Sequence, residues 1–452
     1  MKTSRLLSTL ALGTVLTASS AVFAQVKIGT SPTTISANVN LEVQATNNHR
    51  TVIRQDNGFV GIGTITPNAH LNVEAGNMSV SNGADNTFDP TVLGAASIGR
   101  GNINRANWAV SIGQENAVAG IRSLAVGYQN SIPVAGDHSF VVGQSNMANA
   151  INSFAGGNGS VTSGSTSMAF GLTARASGAY AISLGRETTA SGTNSIAAGY
   201  SAVAGGSASV AMGNDVSASD IGAVSLGWLT QANGPASVAL GYACFAQQNA
   251  SIAIGNNARA NHADAFVFSD NSSGGVAIGS WADNTMTMRF GGGYRFYTNG
   301  SHTTGVQLTP GDVTWGAISD IRTKEDISDI ESGVATIMQL RPKKYHYKKA
   351  EKKHFSLGFI AQEMVKVLPD IVNVPEDKED FLSIRYTELV PVLTKAIQEQ
   401  QAEIKEQQAE IDVLKARLSK MDALEAKLAA FEAKLETAPA ANSASAQLVN
   451  SK

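Results

Sequence analysis

The chain has 452 residues, with 33 basic and 36 acidic side chains and a formal charge of −3. So close a balance cannot neutralise a phosphate backbone, which excludes a bulk nucleic-acid binder. Hydrophobic residues make up 43% of the chain but aromatics only 6%, and glycine is abundant at 44 residues, a composition that favours repetitive β architecture with small buried residues over a large enzyme core.

Residues 1–24 carry Lys2 and Arg5, an apolar stretch from Leu6 to Leu16, and Val22-Phe23-Ala24, with small residues where a signal peptidase reads them. That order is expected of a secretory signal, and its core is too short to span a bilayer. No later segment reaches 18 uninterrupted apolar residues, so the mature chain is expected to be exported, without an integral membrane segment, and to reside at the cell surface or be secreted. The single cysteine, Cys244, leaves no partner for an internal disulfide. Residues 25–94 alternate like short half-buried strands, as in Asn40-Leu41-Glu42-Val43 and Phe59-Val60-Gly61-Ile62-Gly63-Thr64. The run from Val60 to Thr64, with Pro67 and Leu71-Asn72-Val73, resembles a segment of phage tail fibres and exported fibre proteins.

From Ser97 a five-residue unit, small-apolar-small-apolar-Gly, recurs through Ser251-Ile252-Ala253-Ile254-Gly255, and its terminal glycines stand 14 residues apart in ten of eleven intervals. The exception, Gly127 to Gly143, holds two extra residues near Pro133. Fourteen residues accommodate two strands of about five residues and two tight turns, so each repeat predicts one coil of a β-solenoid. The alternation puts large apolar residues on one face and Ser, Ala and Gly on the other. The expectation is that the large face fills the coil and the small face admits a neighbouring backbone. This repeat resembles the head of YadA-type trimeric adhesins. The resemblance implies a mainly β fold, a left-handed parallel β-roll over residues 95–275, and a homotrimer. Those adhesins end in a membrane anchor of four β-strands, whereas this chain ends in a helix and a polar tail.

Residues 276–317 predict a strand-rich neck in which Phe290, Tyr294, Phe296 and Tyr297 form a trimeric core. At Trp315 the composition changes: between Lys27 and Lys324 there is no lysine, and 16 of the 18 lysines lie at or beyond Lys324. Residues 391–436 predict a coiled coil, with Ile397, Ile404 and Ile411 seven apart and a stammer between Met421 and Leu424. The tail from 437 to 452, rich in Ala, Ser and Asn, is expected to be disordered.

Chemistry concentrates in Ser319-Asp320-Ile321-Arg322-Thr323-Lys324. Serine and lysine form a nucleophile and base pair when the amine is desolvated. Five residues along a strand or helix do not bring them together, so contact requires a tight turn or another subunit. A capping role for Ser319 or Asp320 ahead of a helix is the plainer alternative. The same run, followed by Leu340-x-Pro342-x-x-Tyr345, Gly358-Phe359-Ile360-Ala361-Gln362-Glu363, Leu368-Pro369 and Tyr386-x-x-Leu389, resembles the C-terminal intramolecular chaperone of phage endosialidase tailspikes, a small α/β self-cleaving serine peptidase. That resemblance covers 319–411. It implies Ser319 as nucleophile, Lys324 as general base, and cleavage between Ile318 and Ser319 after the domain has driven trimer assembly. Asp320 and Arg322 match the motif and are expected to orient the turn.

The resulting expectation is an exported trimeric fibre with an auto-processing chaperone, binding a host-surface, matrix or glycan ligand. A non-cleaving structural fibre and a glycan-processing tailspike stay open beside it. The second needs paired carboxylates, and of the six acids in the head only Asp215 and Asp220 share a repeat. His346 and His354 sit among lysines and read as surface residues. No metal or cofactor is expected.

Overall fold

The computed structural model describes residues 25–29, 35–44, 50–73, 76–81, 85–348 and 354–437. The expected signal segment, and the expected tail beyond Thr437, lie outside the described residues. Among the described residues no helix is long and apolar enough to cross a membrane. The chain divides into two compact units, one ending at Ile318 and the other beginning at Ser319.

The first unit opens with a five-stranded mixed sheet from Val26 to Val73. Glu42 is fully buried in it, 3.1 Å from Lys27 Nζ and 3.5 Å from Arg50. The Ser36 N–H donates to Glu42 Oε2 at 2.6 Å. Burial pushes this carboxyl up, but the Ser36 hydrogen bonds and Lys27 outweigh it and hold the group below its usual range.

The solenoid follows. Its long strands stack into a 15-stranded sheet and its short strands into a 14-stranded sheet. Successive coils pair in parallel and in register, so that Gly213 faces Gly227 and Gly227 faces Gly241. The ladder starts at Met78–Ser81, one coil before the regular repeat, and ends at Met286–Arg289, two coils beyond it. The two extra residues near Pro133 are absorbed in the turn after Ser131–Ile132, and the glycine register continues from Gly127 to Gly143.

Two expectations are corrected. Each coil has one five-residue and one two-residue strand, as in Val238–Tyr242 and Phe245–Ala246, in place of two strands of about five. Left-handed turn residues such as Ala243 (φ 49°) and Ala250 (φ 48°) close the coil early. The faces are also exchanged. Ala169, Ala197, Ala211, Ala239 and Ser183 are fully buried inside the coil, as are Ala176, Ala190 and Ala204 on the short strands. The larger residues point outward, with Phe170 48%, Leu184 38% and Met212 40% exposed. A coil bounded by strands of five and two residues encloses little volume, filled mostly by Ala and Ser with an occasional larger residue such as Ile132, so volume decides which face is inside. The first coils fill part of this interior with an amide ladder: Asn116, Asn130 and Asn146 each donate Nδ2 to the Oδ1 of the asparagine one coil earlier, at 3.0, 3.0 and 3.1 Å. Each pairing satisfies a polar group that burial would otherwise penalise.

After the solenoid, Tyr294–Tyr297, Gly305–Leu308 and Gly316–Ala317 form an antiparallel sheet. Trp315 lies 5.4 Å from Phe296 and 6.3 Å from Tyr294 between ring centroids, which gathers part of the expected neck aromatics within one chain.

The second unit packs a short helix (Val334–Gln339), a hairpin (Lys343–Tyr345 with Ser356–Gly358) and a helical turn (Ala361–Met364) near the start of a 48-residue helix, Leu389–Glu436. Met364, Ile371, Val372 and Leu389 form its core, with Leu340, Phe359 and Leu368 against them. The long helix spans about 72 Å. It passes through the Met421 to Leu424 step without a break. Ile397 and Ile404 are 64% and 56% exposed, an apolar stripe that a single chain leaves uncovered and that fits a coiled coil.

Candidate active site

Ser319, Asp320, Arg322 and Lys324 fall together on one tight turn. Ile321–Thr323 form a single 3-10 turn with Asp320 as its N-cap in extended conformation, φ −72° and ψ 138°. Asp320 Oδ1 accepts from the Arg322 N–H at 2.9 Å and from Arg322 Nε at 3.0 Å, while Oδ2 accepts from the Arg322 guanidinium at 2.8 Å. Thr323 closes the other side, its hydroxyl donating to the Asp320 carbonyl at 2.8 Å. The turn reverses the chain so that Lys324 Nζ donates to Ser319 Oγ at 2.7 Å. A tight turn thus supplies the contact that five residues of strand or helix could not.

The electrostatics stiffen this loop. The Arg322 side chain, then its backbone N–H, hold the Asp320 carboxyl below the usual aspartate range, and Asp320 in turn raises Arg322. Paired forks of this kind fix geometry more than they add stability at an exposed position. Ser319 and Lys324 are both exposed in the single chain. On the upstream side, within the first unit, Gly316–Ala317 pair with Val306–Gln307 and the Ile318 N–H donates to the Gly305 carbonyl at 3.1 Å. The residues leading to the Ile318–Ser319 bond are therefore held extended, and the division between the two units falls at that bond.

Two supporting contacts join residues far apart in the sequence. The Glu399 carboxylate, on the long helix, accepts from the Gly333 and Val334 N–H groups at 3.1 and 2.8 Å, capping the helix that starts at Val334. Tyr386 Oη accepts from the Phe359 N–H at 2.9 Å. The Val334 and Gly333 N–H groups and then Lys395 lower the Glu399 carboxyl despite its burial cost. A carboxyl lowered on folding stabilises above its ordinary value and loses that contribution as pH falls through the folded one. Thermal melts of the full chain between pH 6 and 3 should therefore show the second unit weakening at the acid end, and Glu399→Gln should flatten that dependence.

Asp215 and Asp220 lie on either side of one short strand, Ser217–Ala218, and Asp220 Oδ1 accepts from the neighbouring Ile221 N–H at 2.7 Å.

Family models match both units. Residues 163–188, 190–215, 218–243 and 246–267 match the YadA head domain repeat, and residues 319–373 match the chaperone of endosialidase, a peptidase family. The chain thus joins adhesin-type head repeats to an endosialidase-type chaperone domain, the make-up of a fibre protein with a C-terminal chaperone. A comparison with curated proteins gives no match.

Proposed function

We propose that the chain is an exported trimeric adhesin-like fibre whose C-terminal domain registers three chains and then cuts itself away before Ser319. The observation that carries the cleavage is the 2.7 Å contact between Lys324 Nζ and Ser319 Oγ at the first residue of the second unit. Ser319 Oγ attacks the carbonyl carbon of Ile318, and its proton passes to a neutral Lys324 amine. The C–N bond breaks as Lys324 returns that proton to the new Ser319 amino group. Water then hydrolyses the ester, leaving an Ile318 carboxylate. Trimer assembly is supported by the outward aliphatic ladders of the head and the apolar stripe of the long helix. Covering one half-exposed leucine or phenylalanine contributes on the order of 1 kcal/mol, and most coils present two large apolar outward positions. A β-solenoid depends on pairing between chains and coils in one register, a slow search that a trimeric clamp shortens.

The test is expression of the mature chain, with sedimentation for the trimer and a denaturing gel with N-terminal sequencing for the cut. A fragment beginning at Ser319 and a trimeric remainder are expected. An intact chain would overturn the cleavage, and a monomeric head would overturn the fibre. Asp320 and Arg322 act here as positioning residues. Asp320→Asn keeps the N-cap but loses the charged fork, so cleavage should slow by about tenfold or more with the melting curve unchanged.

A further inference from the structure

Beyond the outward aliphatic positions, each long strand ends on one more outward residue, directly after the glycine and before the left-handed turn. In the last coils this position reads Arg186, Tyr200, Asn214, Trp228, Tyr242 and Asn256, in register from coil to coil. All six carry planar side chains, and none carries an acid. In a chain with 6% aromatics, three of six positions here are aromatic, and Trp228 and Tyr242 are 55% and 40% exposed. The Trp228 and Tyr242 rings meet at 5.6 Å and 87°, and the Arg186 guanidinium lies over the Tyr200 ring at 5.1 Å. At about 4.8 Å per coil the strip runs roughly 24 Å along the solenoid. The following residue turns left-handed, as at Glu187 (φ 57°) and Asp215 (φ 51°), which sets the strip at the rim of the sheet beside the aliphatic positions.

We propose that this strip binds a neutral, extended polysaccharide lying along the fibre, a reading that rests on the adhesin-like fibre above and names the class of its ligand. Pyranose rings offer C–H faces that pack on aromatic faces, and equatorial hydroxyls that both donate and accept. Aromatic rings supply the first contact. Asn214 and Asn256 supply the second, since an amide has both donors and acceptors. The charge selects neutrality: Arg186 is paired with Glu187 at 3.1 Å, and Asp215 adds a further negative group beside the strip. An anionic chain would meet those carboxylates, with the strip's one arginine already paired. The strip is rigid before binding because every position is fixed by the ladder, which limits the entropy lost on association. Three strips per trimer would add avidity.

Retention of the full mature protein on insoluble cellulose and chitin tests this, with pectate as the anionic comparison. The wild type is expected to bind a neutral polymer and not pectate. Trp228→Ala combined with Tyr242→Ala should weaken binding by about tenfold or more, while Trp228→Phe retains most of it. Asn214→Ala, which removes no ring, should weaken binding with an unchanged melting curve. Binding to pectate alone, no binding to either neutral polymer, or equal binding by the ring variants would overturn the proposal. Sedimentation of the same samples separates the two readings: a trimer that binds neither polymer sinks the strip and leaves the fibre, whereas a monomer that binds through Trp228 does the reverse.

Discussion

Replacing Lys324 by arginine should abolish release of the 319–452 piece as completely as Ser319→Ala does. Arginine keeps the positive charge and can still donate to Ser319 Oγ, but it does not surrender a proton. The variant therefore separates a lysine that holds the serine in place from one that takes its proton. Loss of either partner of a coupled pair removes most of the rate, and the double variant should be no worse than the single ones. For cleavage that is complete in the wild type, the expected drop is about a thousandfold or more, read as an intact chain on a denaturing gel with no new amino terminus at Ser319. Undiminished cleavage in Lys324→Arg would remove lysine from the base role and leave the turn as a capping device.

The exposure of the pair sharpens the expectation. A lysine serves as base only after losing its proton, which burial favours. Ser319 and Lys324 are exposed in the single chain, so that burial has to come from neighbouring subunits. Cleavage should then follow assembly. Chains kept apart by mild denaturant should stay whole and begin to cut when it is removed, at a rate that rises with protein concentration.

The period of the head was legible in the residues because a solenoid writes its geometry into the sequence once per coil. The orientation of the two faces was not. Alternation shows that Ile182, Leu184 and their counterparts share a face, but it is silent on which face is enclosed. The enclosed volume answers that, and it depends on the two-residue strands, such as Thr189–Ala190, which are too short to carry a pattern of their own. The Ser319 and Lys324 contact was legible as residue types and illegible as geometry, since their spacing fits neither a strand nor a helix and the turn closed by the Asp320, Arg322 and Thr323 hydrogen bonds bends the chain between them. Glu399 had no signal at all: its partners Gly333 and Val334 lie 66 and 65 residues away, and in the sequence a glutamate on a long helix looks like any other.

Gly213→Val should be among the most damaging single changes in the head. Gly213 has φ 141°, and a Cβ built on it would lie 1.8 Å from the carbonyl oxygen of Gly227. That oxygen cannot move aside, because Gly227 is locked in register against Gly241, whose own pairing continues to Gly255. The clash and the forbidden backbone region together cost about 3 kcal/mol or more, which in a unit of this size corresponds to a fall of roughly 6–12 °C in melting temperature. The damage should also be local, since each coil contacts only its neighbours. Limited proteolysis should therefore nick the variant near Asn214 to Trp228 while distant coils stay protected. Gly222→Ala provides the contrast. Its φ of 66° is one that Ala208 and Ala236 adopt at the equivalent position of neighbouring coils, and its nearest neighbour, the Ala236 Cα, is 3.9 Å from a built Cβ. That variant should cost about 1 kcal/mol, with no new proteolytic site. If Gly213→Val melted together with Gly222→Ala, the inter-coil contact at the glycine ladder would not be what sets the spacing of the head.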